Sequence, residues 1–204
     1  MKRMFGISIV KTLYYNFFSP HFVRKNRGFA VIYKKCHFSF KKGGKIIIDG
    51  GKVFFGGKSP FHSFFRLEEG SSIIVFENCH FGYGSDFLLS KNSTLLIEKN
   101  VYINCNFFLR CASKITIKEN CLIAHQVTMR DSDGHFVYED KKKGEIIVNQ
   151  GVWICAQVTI LKNVKIGKGS VIGARSLVIK DVPEKTLVAG VPATVIKTNV
   201  AWKR

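Results

Sequence analysis

Residues 146–178 read IIVNQGVWICAQVTILKNVKIGKGSVIGARSLV, and an aliphatic side chain returns at every sixth place: Val148, Ile154, Ile160, Ile166, Ile172 and Val178. A companion stands two residues earlier at Ile146, Val152, Val158 and Val164, then gives way to Ser170 and Ser176. A helix would need apolar spacings of three and four, and a long half-buried strand would need unbroken alternation. A six-residue beat suits a short strand with one or two inward side chains, a corner, and another short strand. Stacked coil on coil, each burying the apolar face of the next, such units make a parallel β-solenoid. Gly167 and Gly173 follow the main position, where small residues are expected to let the backbone turn tightly.

The beat continues upstream. Ile97, Ile103 and Leu109 keep the step, as do Ile117, Ile123 and Met129, with a two-residue slip between the sets. Between 46 and 90 the runs IIID, VFF, SIIV and FLLS resemble the same short strands with longer, Gly-bearing corners. After 183, PEKTLVAGVPATVIK no longer repeats and reads as a terminal cap, which the open end of a solenoid requires. The expected division is a basic N-terminal segment over 1–45, the solenoid over 46–182 with a loop at 130–145, and a cap and tail over 183–204.

With 46% hydrophobic residues the chain can bury a core, and eighteen Phe against two Trp suggest a β-rich interior in which Phe fills many inward positions. The six cysteines (36, 79, 105, 111, 121 and 155) sit in apolar contexts such as NCLI and WICA, with no C-x-x-C spacing. They read as free thiols packed in a reducing compartment, which places the protein in the cytoplasm. No apolar run is long enough to cross a bilayer, and the opening MKRMFGISIVKTLYYNFF lacks the features of a secretory signal. Its Phe5, Ile9, Leu13 and Phe17 are four apart, as in an amphipathic helix lying against the body or on a membrane.

The formal net charge is +18, and no Asp or Glu precedes Asp49 although that stretch holds eleven Lys and Arg. Such a block favours an anionic partner: nucleic acid, an anionic membrane face or a phosphorylated substrate. No nucleic-acid recognition motif accompanies the charge, so nucleic acid is not expected. One segment departs from the beat altogether. VTMRDSDGHFV, residues 127–137, places Asp131, Asp133 and His135 on a loop. A histidine there suits a general base, since imidazole titrates near working pH.

Residues 151–197, GVWICAQVTILKNVKIGKGSVIGARSLVIKDVPEKTLVAGVPATVIK, resemble the hexapeptide-repeat acyltransferases, in particular galactoside and maltose acetyltransferases and relatives that acetylate bacterial surface polysaccharides. The resemblance implies an all-β fold, a left-handed parallel β-helix, assembled as a homotrimer with sites in the grooves between subunits. It implies an O-acetyltransferase that uses acetyl-CoA and needs no metal. The acceptor would be a glycan in capsule, exopolysaccharide or lipopolysaccharide biosynthesis, lipid-linked or anionic, met at the inner face of the membrane. The family's G-H-P-V loop falls on Gly134-His135-Phe136-Val137, making His135 the general base for direct transfer in a ternary complex. A family asparagine that helps bind the acceptor hydroxyl falls on Asn104, with Asn106 two further on.

Asp131 and Asp133 would orient the imidazole or bind acceptor. Ala112 stands where relatives carry an acidic substrate contact, which implies an acceptor unlike a simple galactoside. Coenzyme A contacts are implied at Ala156, Ala174, Lys180 and Lys197, with Arg175 in place of a glycine and Thr194 in place of a basic residue. His125, within a coil, is the rival base, and Trp153 falls on a family position shared between packing and substrate contact. An antibiotic O-acetyltransferase and a non-catalytic binding scaffold stay open as alternatives.

Overall fold

The computed structural model describes residues 6–135 and 143–203. Phe5, Phe136, Val137 and the middle of the 130–145 loop lie outside the described residues. Within them the chain winds around a three-sided prism. Face one is a seven-stranded parallel sheet running from Phe22–Lys25 to Val164–Ile166, and face three is another from Cys36–Phe40 to Leu177–Val178. Face two stacks Phe29–Ile32 through Val171–Ile172 and Leu187–Gly190, and closes with the antiparallel strand Ala193–Lys197. Three parallel sheets in strict rotation, with one short helix, are consistent with the expected left-handed β-helix.

The six-residue beat is one side of this triangle. Val148, Ile154 and Ile160 occupy successive faces, and Ile166 returns to lie beside Val148 one coil later. Inward side chains therefore form continuous columns. On face one, Ile48, Val75, Ile97, Ile117, Val148 and Ile166 stand in register; on face three, Phe38, Phe65, Phe87, Leu109, Met129, Ile160 and Val178 do. Nearly all are wholly buried, so each coil covers the apolar row of the next. The early coils have longer corners, and there the interior is filled by rings: Phe55, Phe65, Phe81, Phe87 and Phe107 are fully buried. The short C-terminal coils are filled by Ile and Val.

Three expectations change. The solenoid does not begin at 46, because Phe22–Lys25, Phe29–Ile32 and Cys36–Phe40 already make a coil in register with the one above. It also runs past 182, since Leu187–Gly190 still pairs in parallel with Val171–Ile172. Gly167 and Gly173 are not turn glycines, having no left-handed φ. A Cβ at Gly167 would collide with the Glu184 backbone, and one at Gly173 would crowd Ala189, so smallness there admits the next coil. The left-handed corner positions belong instead to residues such as Asn120, Gln157 and Asn163; asparagine tolerates that conformation better than most.

The helix Ile9–Phe17 closes the open end of face two. Its buried residues are polar. Asn16 accepts from the Ala30 amide (2.9 Å) and donates to the Ala30 carbonyl (2.8 Å), while Thr12 accepts from the Ile32 amide (3.1 Å). These side chains satisfy the backbone groups that the first strand has no neighbour to pair with. The expected stripe Ile9, Leu13 and Phe17 faces outward.

Candidate functional site

The loop bearing His135 leaves face three after Thr128–Arg130 and returns to face one at Glu145–Val148. Asp131 roots it. One carboxylate oxygen accepts from the Ala112 amide (2.6 Å), the other from Ser113 (2.9 Å), and the Cys111 thiol lies 3.5 Å from the second. The Asp131 carbonyl accepts from Gly144, which ties the two ends of the loop together. Asp131 is wholly buried. The expectation that it meets acceptor is therefore replaced: its carboxylate is spent on the preceding corner and shapes the loop from beneath. Asp133 is partly exposed and pairs with Lys162 at 2.5 Å, holding the loop to the coil beyond. Gly134 follows with φ +78°, and His135 projects into solvent.

Burial pushes the Asp131 carboxyl above the ordinary carboxylate value, against the opposing pull of the Ala112 and Ser113 amides. A carboxyl raised on folding takes up a proton between its unfolded and folded values. Its contribution to stability is therefore greatest at low pH and falls as pH rises through that window. Wild-type urea midpoints, relative to those of Asp131→Asn, should decline as pH climbs from about 4 and then level off. Parallel pH profiles for the two proteins would show that this carboxyl is not the source.

Beside the loop root lies a cleft of about 290 Å3 lined by Phe108, Arg110, Ala112, Arg130, Ser132 and Gly134. The Arg110 guanidinium lies 3.7 Å from the centre of the Phe108 ring and bonds both Asp86 carboxylate oxygens, at 3.1 and 3.3 Å. Arg66, on the same face, bonds Asp86 at 2.5 Å. One carboxylate thus serves two guanidinium groups, and Arg130 adds a third, exposed cation beyond them. This basic ladder was not singled out in the sequence. Its signal is register: Arg66, Leu88, Arg110 and Arg130 occupy one column of face three. A larger hollow of about 700 Å3 lies at the corner of faces one and two, lined by Asp49, Glu77, Glu98 and Glu119. It holds none of the marked residues, and its acidity is unsuited to phosphates.

The remaining candidates fall mostly on the opposite edge, between faces two and three. Asn104, His125, Ala156 and Ala174 occupy successive coils there. The Gln126 amide bonds the Cys105 carbonyl (3.0 Å), Gln157 bonds His125 (3.0 Å), and Arg175 bonds Ala156 (2.9 Å). The Asn104 side chain accepts from the amide of Cys105 at 2.7 Å. Asn106 and Arg175 hold left-handed corner positions, at φ +56° and +60°. Arg175 Nε donates to Gln157, whose amide donates to Gln126, so a polar ladder runs down this edge. Lys180 lies with the His135 loop at the other edge. Lys197 is on the antiparallel strand of face two, opposite Leu187. On the same face the Trp153 ring packs 5.7 Å from that of Trp202, whose indole bonds the Gly151 carbonyl.

Within the chain, then, His135, Asp133 and Lys180 share one edge, while Asn104, Asn106, His125, Ala156, Ala174 and Arg175 share another. All six cysteines are free. Burial pushes the thiols of Cys36 and Cys121 up to about 12 and that of Cys79 to about 11, values at which a thiol is inert. Among the described residues no three His, Cys, Asp or Glu side chains gather as a metal site.

No family model matches the chain. Galactoside O-acetyltransferase of Escherichia coli (strain K12) is 39% identical over 124 residues, which cover 58% of this chain and 57% of that protein. Polysialic acid O-acetyltransferase of Escherichia coli O1:K1 / APEC is 38% identical over 128 residues, 58% of this chain and 41% of that one. The chain thus spans about half the length of these two curated relatives. Among solved structures, the polySia-specific acetyltransferase NeuO superposes with a TM-score of 0.66 at 26% identity, over 91% of this chain and 90% of that one. The putative lipopolysaccharide biosynthesis O-acetyl transferase WbbJ of Escherichia coli (strain K12) is 30% identical over 145 residues, 64% of this chain and 74% of its own length. A likeness that covers so much of a relative, carried on the same stacked coils, means that this chain belongs to the hexapeptide-repeat acetyltransferase family.

Proposed function

We propose that this protein is an acetyl-CoA-dependent O-acetyltransferase acting on a sugar hydroxyl of a bacterial surface polysaccharide, with His135 as general base. The observation that carries the reading is an exposed histidine next in sequence to Gly134, which lines a cleft whose wall is built from Phe108, Arg110 and Arg130. The relatives are named for galactoside, polysialic acid and lipopolysaccharide acetylation, which supports a carbohydrate acceptor. In the step itself the neutral imidazole takes the hydroxyl proton as that oxygen attacks the thioester carbonyl. The tetrahedral intermediate collapses, the C–S bond breaks, and the imidazolium returns the proton to the departing thiolate. Transfer is direct. Buried, inert thiols offer no acyl carrier at Cys36, Cys79 or Cys121, and no metal is called for.

A homotrimer completes the site. The two half-sites lie on different edges of one prism, and a closed threefold ring can set one edge of each protomer against the other edge of its neighbour. In that arrangement Asn104 of one subunit faces the His135 loop of the next. The small side chains of Ala156 and Ala174 leave a strip for pantetheine, and Arg175, Lys180 and Lys197 meet the coenzyme's phosphates. Because acetyl-CoA is available in the cytoplasm, the proposed reaction takes place on that side of the membrane.

The acceptor is an acidic sugar. Ala112 removes a negative charge from the cleft, Arg110 in its wall shares the Asp86 carboxylate with Arg66, and Arg130 adds an exposed cation beyond them. Thiol release from acetyl-CoA, followed across neutral and carboxylated oligosaccharides, tests this. Carboxylated acceptors should be preferred, and Arg130→Gln should lower kcat/KM for them about tenfold, the scale of one charge-assisted hydrogen bond, with neutral acceptors unaffected. Equal use of neutral sugars would overturn the acidic acceptor, and absence of release with every glycan would favour a binding scaffold.

A further inference from the structure

The helix at the end of the prism is turned inside out relative to a core helix. Thr12 and Asn16 face the protein and are saturated by the first strand of face two. Outward stand Ile9, Val10, Leu13, Tyr14, Phe17 and Phe18, between 48% and 78% exposed. A nine-residue helix that spends its polar face on the sheet edge has only its apolar face left for water. Around it the first coil is basic. The Arg24 guanidinium lies 4.5 Å from the centre of the Phe17 ring, Lys25 and Arg27 are exposed beside it, and the Lys11 ammonium bonds the carbonyls of Lys34 and Cys36. No acidic residue precedes Asp49.

We infer that this end of the prism docks on an anionic lipid bilayer, with the helix lying in the headgroup region and the first-coil cations on the lipid phosphates. Apolar area and positive charge presented together are what an anionic interface binds and what bulk water or a neutral surface does not. Tyr14, Phe17 and Phe18 supply rings of the kind that settle at headgroup depth. A second copy of the chain is the poorer occupant. Self-contact through this face would bring the same cations together, and the first coil itself contributes no carboxylate; Asp49 on the next coil lies in register with Lys25 and is already engaged by Asn26. The helix caps the first coil, and the His135 loop leaves face three four rungs further along. Docking would hold that loop roughly 19 Å above the first coil, at about 4.8 Å per rung. An acceptor glycan tethered to lipid would be met at that height.

Flotation of the full chain with phosphatidylcholine vesicles, with and without about 30 mol% phosphatidylglycerol, tests the inference at physiological salt. We expect binding at least about tenfold stronger to the anionic vesicles. The triple substitution Leu13→Gln, Phe17→Gln, Phe18→Gln should weaken it at least about tenfold with circular dichroism and melting unchanged, because these side chains face solvent. Arg24→Gln with Lys25→Gln and Arg27→Gln should erase most of the preference for anionic lipid. Wild-type protein that stays in the aqueous fraction with both vesicles would overturn the inference, as would a triple variant that floats like wild type. So would a triple variant that changes only the sedimentation of the protein, which would assign the face to a second copy. None of these readouts depends on acetyl transfer, so a failure here leaves the proposed reaction standing.

Discussion

Replacing His135 with alanine should lower kcat by about a thousandfold, within the range that a positioned general base contributes, while the KM for acetyl-CoA stays near its wild-type value. In the proposed mechanism the imidazole carries a proton from the acceptor hydroxyl to the departing thiolate, so its removal weakens the transition state and not the binding of coenzyme. The side chain is exposed. Its loss should leave the melting temperature unchanged, which separates a chemical effect from a folding one. His125→Ala is the paired measurement. That residue sits in the opposite edge, with its carbonyl accepting from Gln157, and the variant should retain most turnover. Full activity in His135→Ala together with a dead His125→Ala would transfer the role of base to His125.

The second large effect concerns the interior. Phe65→Ala should destabilise the protein by about 3–5 kcal/mol, the usual range for emptying a buried ring site. Phe65 stacks on Phe38 and Phe87, with centroids 5.1 and 4.7 Å away, and meets Phe55 and Phe81 edge-on at 5.3 and 5.7 Å. Those neighbours belong to four other strands and cannot collapse together into one void. The adjacent Phe64 is 41% exposed and lies flat against His37. Phe64→Ala should cost well under about 1 kcal/mol, as surface changes do. Urea midpoints of the two variants compare the inward and outward sides of one strand directly; equal losses would contradict the alternation on which the prism rests.

The tandem beat was legible because it is a covalent spacing. Each side of the triangle needs an inward side chain once per side, and between Val148 and Val178 no corner adds a residue to disturb the count. The first coil was missed for the converse reason. Its strands Phe22–Lys25, Phe29–Ile32 and Cys36–Phe40 are joined to the next coil by corners of unequal length, so no fixed period links their inward residues. The loop histidine was legible as a break in the beat, but its surroundings were not. Arg66, Asp86, Arg110 and Arg130 come from four coils and meet only when those coils stack in register.

By itself, then, the sequence determined a parallel β-solenoid, free cysteines, a basic N-terminal end and a histidine carried outside the repeat, because each is set by local spacing or composition. Tertiary structure alone decided which faces and edges these features occupy. It buried Asp131 because two amides of the preceding corner needed an acceptor. It turned Thr12 and Asn16 inward, leaving Ile9, Leu13 and Phe17 outside, because an unpaired strand edge demands hydrogen bonds more strongly than a short helix demands burial of its apolar stripe. It also divided the candidate site between two edges of the prism. Residues at equal heights can sit on different corners, and only the winding of the coils determines which corner each one takes.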